Sequence, residues 1–153
     1  MTTLDKLNPD FRDLLAALVA EGVEFVIVGA YALALHGVPR FTGDLDVFVR
    51  PSAENAARLW RALLRFGAPV QAAGVTQHDF ETPGVVYQIG LPPSRIDLLT
   101  EISGLTFDEV WATRESAALD GSPIPFIGRD AFVRNKVASG RPKDLIDARR
   151  LKP

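Results

Sequence analysis

Asp44 and Asp46 stand two residues apart at the head of the run Asp44-Leu45-Asp46-Val47-Phe48-Val49. Residues i and i+2 of an extended strand face the same way, so the run predicts a strand with both carboxylates on one face. Leu45, Val47 and Val49 then supply the opposite, buried face. Two like charges roughly 5 Å apart, in a medium of effective dielectric about 20, repel by about 3 kcal/mol, a large share of a small domain's stability. A cationic group is therefore expected between them.

The segments on either side build a layered α+β domain around that strand. Asn8-Pro9 is a helix start, with Asn as cap and Pro at the first helical position, and Phe11, Leu14, Leu15, Leu18 and Val19 repeat at helical spacing up to Gly22. Glu24 to Val28 reads as a buried strand ending at Gly29, and Ala30 to His36 as a helix closed by Gly37 and Pro39. After the acidic strand, Ser52 caps a helix with the stripe Ala56, Leu59, Trp60, Leu63 and Leu64. Gly84–Ile89 and Arg95–Thr100 form an expected antiparallel hairpin that delivers Asp97 to the sheet. Ile124–Ile127 is expected as a last edge strand, and Arg129–Ser139 and Pro142–Leu151 as terminal helices. The fold expected is a small mixed, largely antiparallel sheet with helices packed on it.

Composition narrows the function classes. The 153 residues, 47% hydrophobic and with a net charge of -2, suit one globular domain spanning 1–153 with a substantial core. Seventeen basic against nineteen acidic residues give no general electrostatic reason to bind nucleic acid. The chain has no cysteine, so thiolate metal sites are excluded and a bound metal is held by oxygen. Residues 1–10 lack a basic stretch followed by an apolar core, and no apolar run reaches membrane-spanning length, so a cytoplasmic location is the expectation.

Val28-Gly29-Ala30, His36-Gly37-Val38-Pro39-Arg40-Phe41-Thr42-Gly43-Asp44-Leu45-Asp46 and Ile96-Asp97 together resemble the polymerase-beta-like nucleotidyltransferase superfamily, in particular its small bacterial members. The ending from Asn135-Lys136 to Asp147 is similar to the tail of such proteins. The resemblance implies a nucleotidyltransferase fold and transfer of a nucleoside monophosphate from a nucleoside triphosphate, such as ATP, to an acceptor hydroxyl, with release of pyrophosphate. It implies two magnesium ions, with manganese as a substitute, held by Asp44, Asp46 and Asp97, and it implies that Asp97 helps to deprotonate the acceptor. Magnesium favours oxygen ligands and is commonly held by a few carboxylates plus substrate phosphates, which these residue types match. Gly29, at a strand-to-helix turn, lets backbone N–H groups approach phosphate oxygens. The family usually places Ser or a second Gly where this chain has Ala30, which leaves backbone donors alone at that position.

Other residues carry two readings each. Arg40 binds triphosphate or neutralises Asp44 and Asp46. Thr42 bonds near the metals or caps a turn. Lys136 approaches the nucleotide or lies on a solvated helix face. His36 reads as structural, Trp60 and Trp111 as packing, and Arg141, Lys143, Asp144 and Asp147 as a locally salt-bridged helix start. The acceptor, whether protein, RNA or small molecule, is not written in the sequence. A chain this short has little left for an acceptor-binding domain, so a partner protein or homodimer is expected to complete the site. The competing function is a noncatalytic nucleotide-binding or interaction module on the same fold, possible within a toxin–antitoxin pair. A further alternative satisfies the aspartates with Arg40, Arg50 and Arg95.

Overall fold

The computed structural model describes residue 4 and residues 7–38 and 43–151, so Arg40 and Thr42 lie outside the described residues. Helix α1 (Pro9–Ala20) starts under an Asn8 cap whose side chain accepts a hydrogen bond from the Asp10 N–H at 2.8 Å, and it buries Phe11, Leu14, Leu15 and Leu18. Strand β1 (Phe25–Val28) is buried throughout and runs directly into α2 (Gly29–Leu35). Strand β2 (Leu45–Val49) follows, then α3 (Ala53–Phe66), which is capped by Ser52 and ends on left-handed Gly67. Asn55 is buried in α3, and its side chain bonds the backbone of Glu24 and Arg50, which ties the start of β1 to the end of β2. Along α3, Ala56, Leu59 and Leu63 are buried, but Leu64 is 55% exposed and so falls off the expected stripe.

A short 3-10 helix (Gln77–Glu81) precedes the hairpin of β3 (Val86–Ile89) and β4 (Ile96–Leu99). The chain continues through α4 (Phe107–Ala112), β5 (Glu115–Leu119), β6 (Ser122–Phe126), α5 (Arg129–Ser139) and α6 (Pro142–Leu151). The strands form one six-stranded sheet in the order β3-β4-β2-β1-β6-β5. The β1–β2, β3–β4 and β5–β6 pairs are antiparallel, and β2–β4 and β1–β6 are parallel. The mixed, mainly antiparallel sheet with packed helices is the architecture expected from the sequence.

The last strand is a correction. β6 is an interior strand, and the edge is β5, whose sequence Glu-Ser-Ala-Ala-Leu carries no β-branched residue to announce it. The hairpin signal is nonetheless present: Asp120 and Gly121, with φ of 49° and 82°, form the two-residue turn that joins them. The prolines of β6 are residues more usual at an edge. Ile127 donates to the Ile27 carbonyl, and alternate residues of a strand aim their N–H the same way, so Pro123 and Pro125 present their missing donors towards β1. The β1–β6 register is accordingly confined to Ile27 and Phe126. Helix α4 has too short an apolar run to show helical periodicity. Its Thr106–Glu109 capping box is what starts it.

Tyr87 of β3 is 4% exposed and packs its ring near Phe80, and its hydroxyl is buried without a protein hydrogen-bond partner among the described residues. Burial of an unbonded hydroxyl destabilises, so Tyr87→Phe is expected to add about 1 kcal/mol of stability. Thermal unfolding should show this as a melting point raised by about 2–4 °C.

Candidate active site

The parallel pairing of β2 with β4 sets Asp46 directly beside Asp97, and the antiparallel pairing of β1 with β2 sets Val28 on the other side of Asp46. Gly29, next after Val28, then lies against the Asp46 carboxylate. A Cβ built at Gly29 would fall 2.2 Å from Asp46 Oδ2 and 3.0 Å from its Cγ, and the backbone there has φ of +69°. Both features require glycine. The side-chain-free space at this turn is thus occupied by a carboxylate. Asp44, immediately before β2, follows Gly43, which is pressed more closely still: a Cβ there would lie 1.6 Å from the Pro93 carbonyl oxygen in the β3–β4 connection.

Asp44, Asp46 and Asp97 line one cleft of about 420 Å³ together with Gly29 and Ala30. Burial pushes the Asp46 carboxyl up to about 6, helped by the charge of Asp97 and a hydrogen bond with it, while the charge of Lys136 pulls the other way. The repulsion expected between Asp44 and Asp46 is therefore exceeded by that between Asp46 and Asp97, which the sheet places side by side. Tyr31 on α2 is pushed up by burial and by the Asp44 charge.

Arg95 pairs directly with two of these carboxylates, Asp97 and Asp44. Its Nε donates to Asp97 Oδ1 at 2.8 Å and an Nη to Asp97 Oδ2 at 3.3 Å, and the same Nη stands 3.3 Å from Asp44 Oδ2. Arg50 points elsewhere, to Glu24 and Asp108. Among the described residues, no group of three or more His, Asp or Glu side chains is arranged to hold a metal ion by itself.

The remaining wall of the cleft comes from α5, α6 and their connection. Lys136, on the inward side of α5, is 12% exposed and pairs with Asp144 Oδ1 at 3.3 Å, so it does not lie on a solvated face. Asp144 is buried, and it also receives Ser139 Oγ and, at 2.7 Å, Arg141 Nε. Burial alone would raise its carboxyl. The hydrogen bonds from Ser139 and Arg141 and the charges of Lys136 and Arg141 outweigh that and hold it below the ordinary carboxylate range. The salt-bridged helix start read from the sequence is present, but it reaches back across the Gly140 turn to Lys136 on the preceding helix. That longer contact, like the double pairing of Arg95, is a tertiary feature without its own sequence signal. Glu101 and Ser103, in the loop after β4, also line the cleft and were not singled out by the sequence.

The residues read as structural behave so. His36 Nε2 donates to the Ile127 carbonyl at 2.7 Å, with its ring edge-on to Phe126. Trp111 stacks on Phe107 and under the Arg114 guanidinium, and Trp60 packs partly buried against the core. No helix among the described residues is long and apolar enough to cross a membrane.

Residues 8–152 match the model of the DUF2204 family, nucleotidyl transferases of unknown function. No curated protein matches the chain in sequence. Among solved structures, the chain is similar to the Thermotoga maritima protein TM1012, a candidate nucleotidyltransferase, with a TM-score of 0.62 and 16% identity over 96% of this chain and 95% of that one. It is also similar to ANT(2″)-Ia, solved in complex with adenylyl-2″-tobramycin, with a TM-score of 0.56 and 16% identity over 92% of this chain and 84% of the other. At that identity the likeness is one of fold. With the family model covering nearly its whole length, and with the paired-aspartate strands and glycine turn set around one cleft, the chain belongs to the DUF2204 family of nucleotidyl transferases.

Proposed function

We propose that the protein transfers a nucleoside monophosphate from a nucleoside triphosphate to an acceptor hydroxyl. The observation that carries this reading is the register of Asp46 against Asp97, with Gly29 packed on Asp46, at the floor of a cleft walled by Lys136, Arg141 and Lys143. The acceptor oxygen bonds to the α-phosphorus, the bond from that phosphorus to the bridging oxygen breaks, and pyrophosphate leaves.

The donor types, though not gathered as a ready metal-binding group among the described residues, suit a hard divalent cation. Its ligands are carboxylate oxygens only, the packing of Gly29 leaves room for the Asp46 carboxylate to reach the cleft, and a cation, Arg95, already sits between Asp44 and Asp97. Asp44, Asp46 and Asp97 would hold magnesium or manganese. When bound, such an ion neutralises phosphate charge and activates the attacking oxygen. Asp97 is the proposed acceptor of the hydroxyl proton. Lys136 and Arg141 are proposed to meet the triphosphate oxygens, with Asp144 holding both in place. The backbone at Gly29 and Ala30 lines the same cleft, and Arg40 and Thr42 remain proposed nucleotide contacts. A second copy or a partner protein is proposed to supply the acceptor side.

The test is incubation of the purified protein with α-labelled triphosphates, magnesium or manganese and a cell extract. Label is expected to pass to an acceptor with wild type and to fall at least a thousandfold with Asp44→Ala/Asp46→Ala, as loss of a charge-stabilising group would produce. A second reading, a noncatalytic nucleotide-binding module, is favoured by the Arg95 bridge across Asp44 and Asp97. Nucleotide binding without any label transfer would select it.

A further inference from the structure

Arg95 stands immediately before β4, two residues from Asp97, so both side chains leave the strand on one face. Its guanidinium grips both oxygens of Asp97 and pairs with Asp44, and its backbone N–H donates to Asp44 Oδ1 at 3.3 Å. The arrangement spans β2 and β4 along the cleft. An arginine keeps its charge at any ordinary pH, so its release calls for a competitor, either for the carboxylates or for the guanidinium. The Arg95–Asp44 pair is partly open to water, with 26% of the Arg95 side chain and 28% of Asp44 exposed, so it contributes little to folding and can exchange. The same guanidinium lines the cleft in which Lys136 and Arg141 stand.

We propose that Arg95 is a built-in counter-ion that competes with the divalent cation for Asp44 and Asp97 and passes to the nucleotide's phosphates when the cation binds. This rests on the metal-dependent reading above. Arginine forks onto carboxylate and phosphate with the same planar pair of donors, so the released group exchanges one partner for the other without a change in geometry. Cation and triphosphate then favour each other's binding. The cation frees Arg95 for phosphate, and phosphate draws Arg95 off the carboxylates, a reciprocity that linkage demands. The metal-free, nucleotide-free protein rests with part of the charge of its acidic cluster offset from within.

Manganese binding to the full chain without nucleotide, followed by calorimetry or by the spin-resonance signal of the free ion, separates this role from a structural one. Arg95→Gln is expected to bind manganese about tenfold more tightly than wild type, equivalent to about 1.4 kcal/mol. Arg95→Lys, with one compact ammonium in place of the fork, is expected to fall between them. ATP is expected to tighten manganese binding by a smaller factor in Arg95→Gln than in wild type. Equal or weaker manganese binding by Arg95→Gln and Arg95→Lys, with circular dichroism unchanged, overturns the inference and leaves the metal site standing. If no protein binds manganese, or if Asp46→Asn binds it as well as wild type does, the metal site falls and the inference falls with it.

Discussion

Asp46→Asn is expected to abolish nucleotide transfer and yet to melt higher than wild type in metal-free buffer. The Asp46 carboxyl is pushed up to about 6 from an ordinary value of 3.8, first by burial and then by Asp97. A carboxyl raised on folding is held protonated more readily by the folded than by the unfolded chain. Stability is therefore lost as pH rises between about 4 and 6, and the full cost is present at pH 7. The size of the shift corresponds to about 2–3 kcal/mol, and the neutral amide of asparagine removes that cost. The melting point of the variant should exceed that of wild type by several degrees at pH 7, with the gap closing at pH 4. Magnesium should reverse the order by stabilising only wild type, because ligand binding to the folded state raises its stability. A variant that melts lower than wild type in chelator at pH 7 would show that Asp46 is not held at an electrostatic cost.

Gly29→Ala is expected to cost about 2–4 kcal/mol and to remove activity. About 1–2 kcal/mol comes from forcing an L-residue into the left-handed region. The rest comes from the new methyl, which would stand 2.2 Å from Asp46 Oδ2 and must drive that carboxylate out of its position. Gly22 supplies the control, since its φ is +70° but nothing lies within 4 Å of a Cβ built there. Gly22→Ala should lose only the backbone part and retain transfer activity. Chemical denaturation of both variants, with manganese titration alongside, measures the difference. Equal losses of stability and unchanged manganese binding would mean that Gly29 is only a turn residue.

The legible parts of the fold are those with strong local chemistry. Asn8-Pro9 and the Ser52 cap mark α1 and α3, and Gly67 ends α3 in the left-handed conformation that glycine permits. The β3–β4 hairpin and the two terminal helices follow the same logic. Helix α4 and strand β5 are short and weakly patterned, so tertiary packing, not propensity, stabilises them. β6 was legible as a strand but not as an interior one, because weakly patterned β5 hides one of its neighbours, and only the assembled sheet shows that Pro123 and Pro125 curtail the pairing with β1 while β5 covers the other side.

By itself the sequence determined that Asp44 and Asp46 share a face, that a glycine turn precedes them and that Asp97 arrives on a separate strand. These are consequences of strand periodicity and of glycine's backbone freedom, which are local properties. Only the tertiary structure decided that Asp46 stands against Asp97 across a parallel pair and that Gly29 makes room for Asp46. The attachment of Arg95 to Asp44 and Asp97, and of Lys136 to buried Asp144, was decided there too. Register between strands distant in the chain, and the partner that each charge finds, are set by packing the whole sheet and its helices together, and no short stretch of residues encodes them.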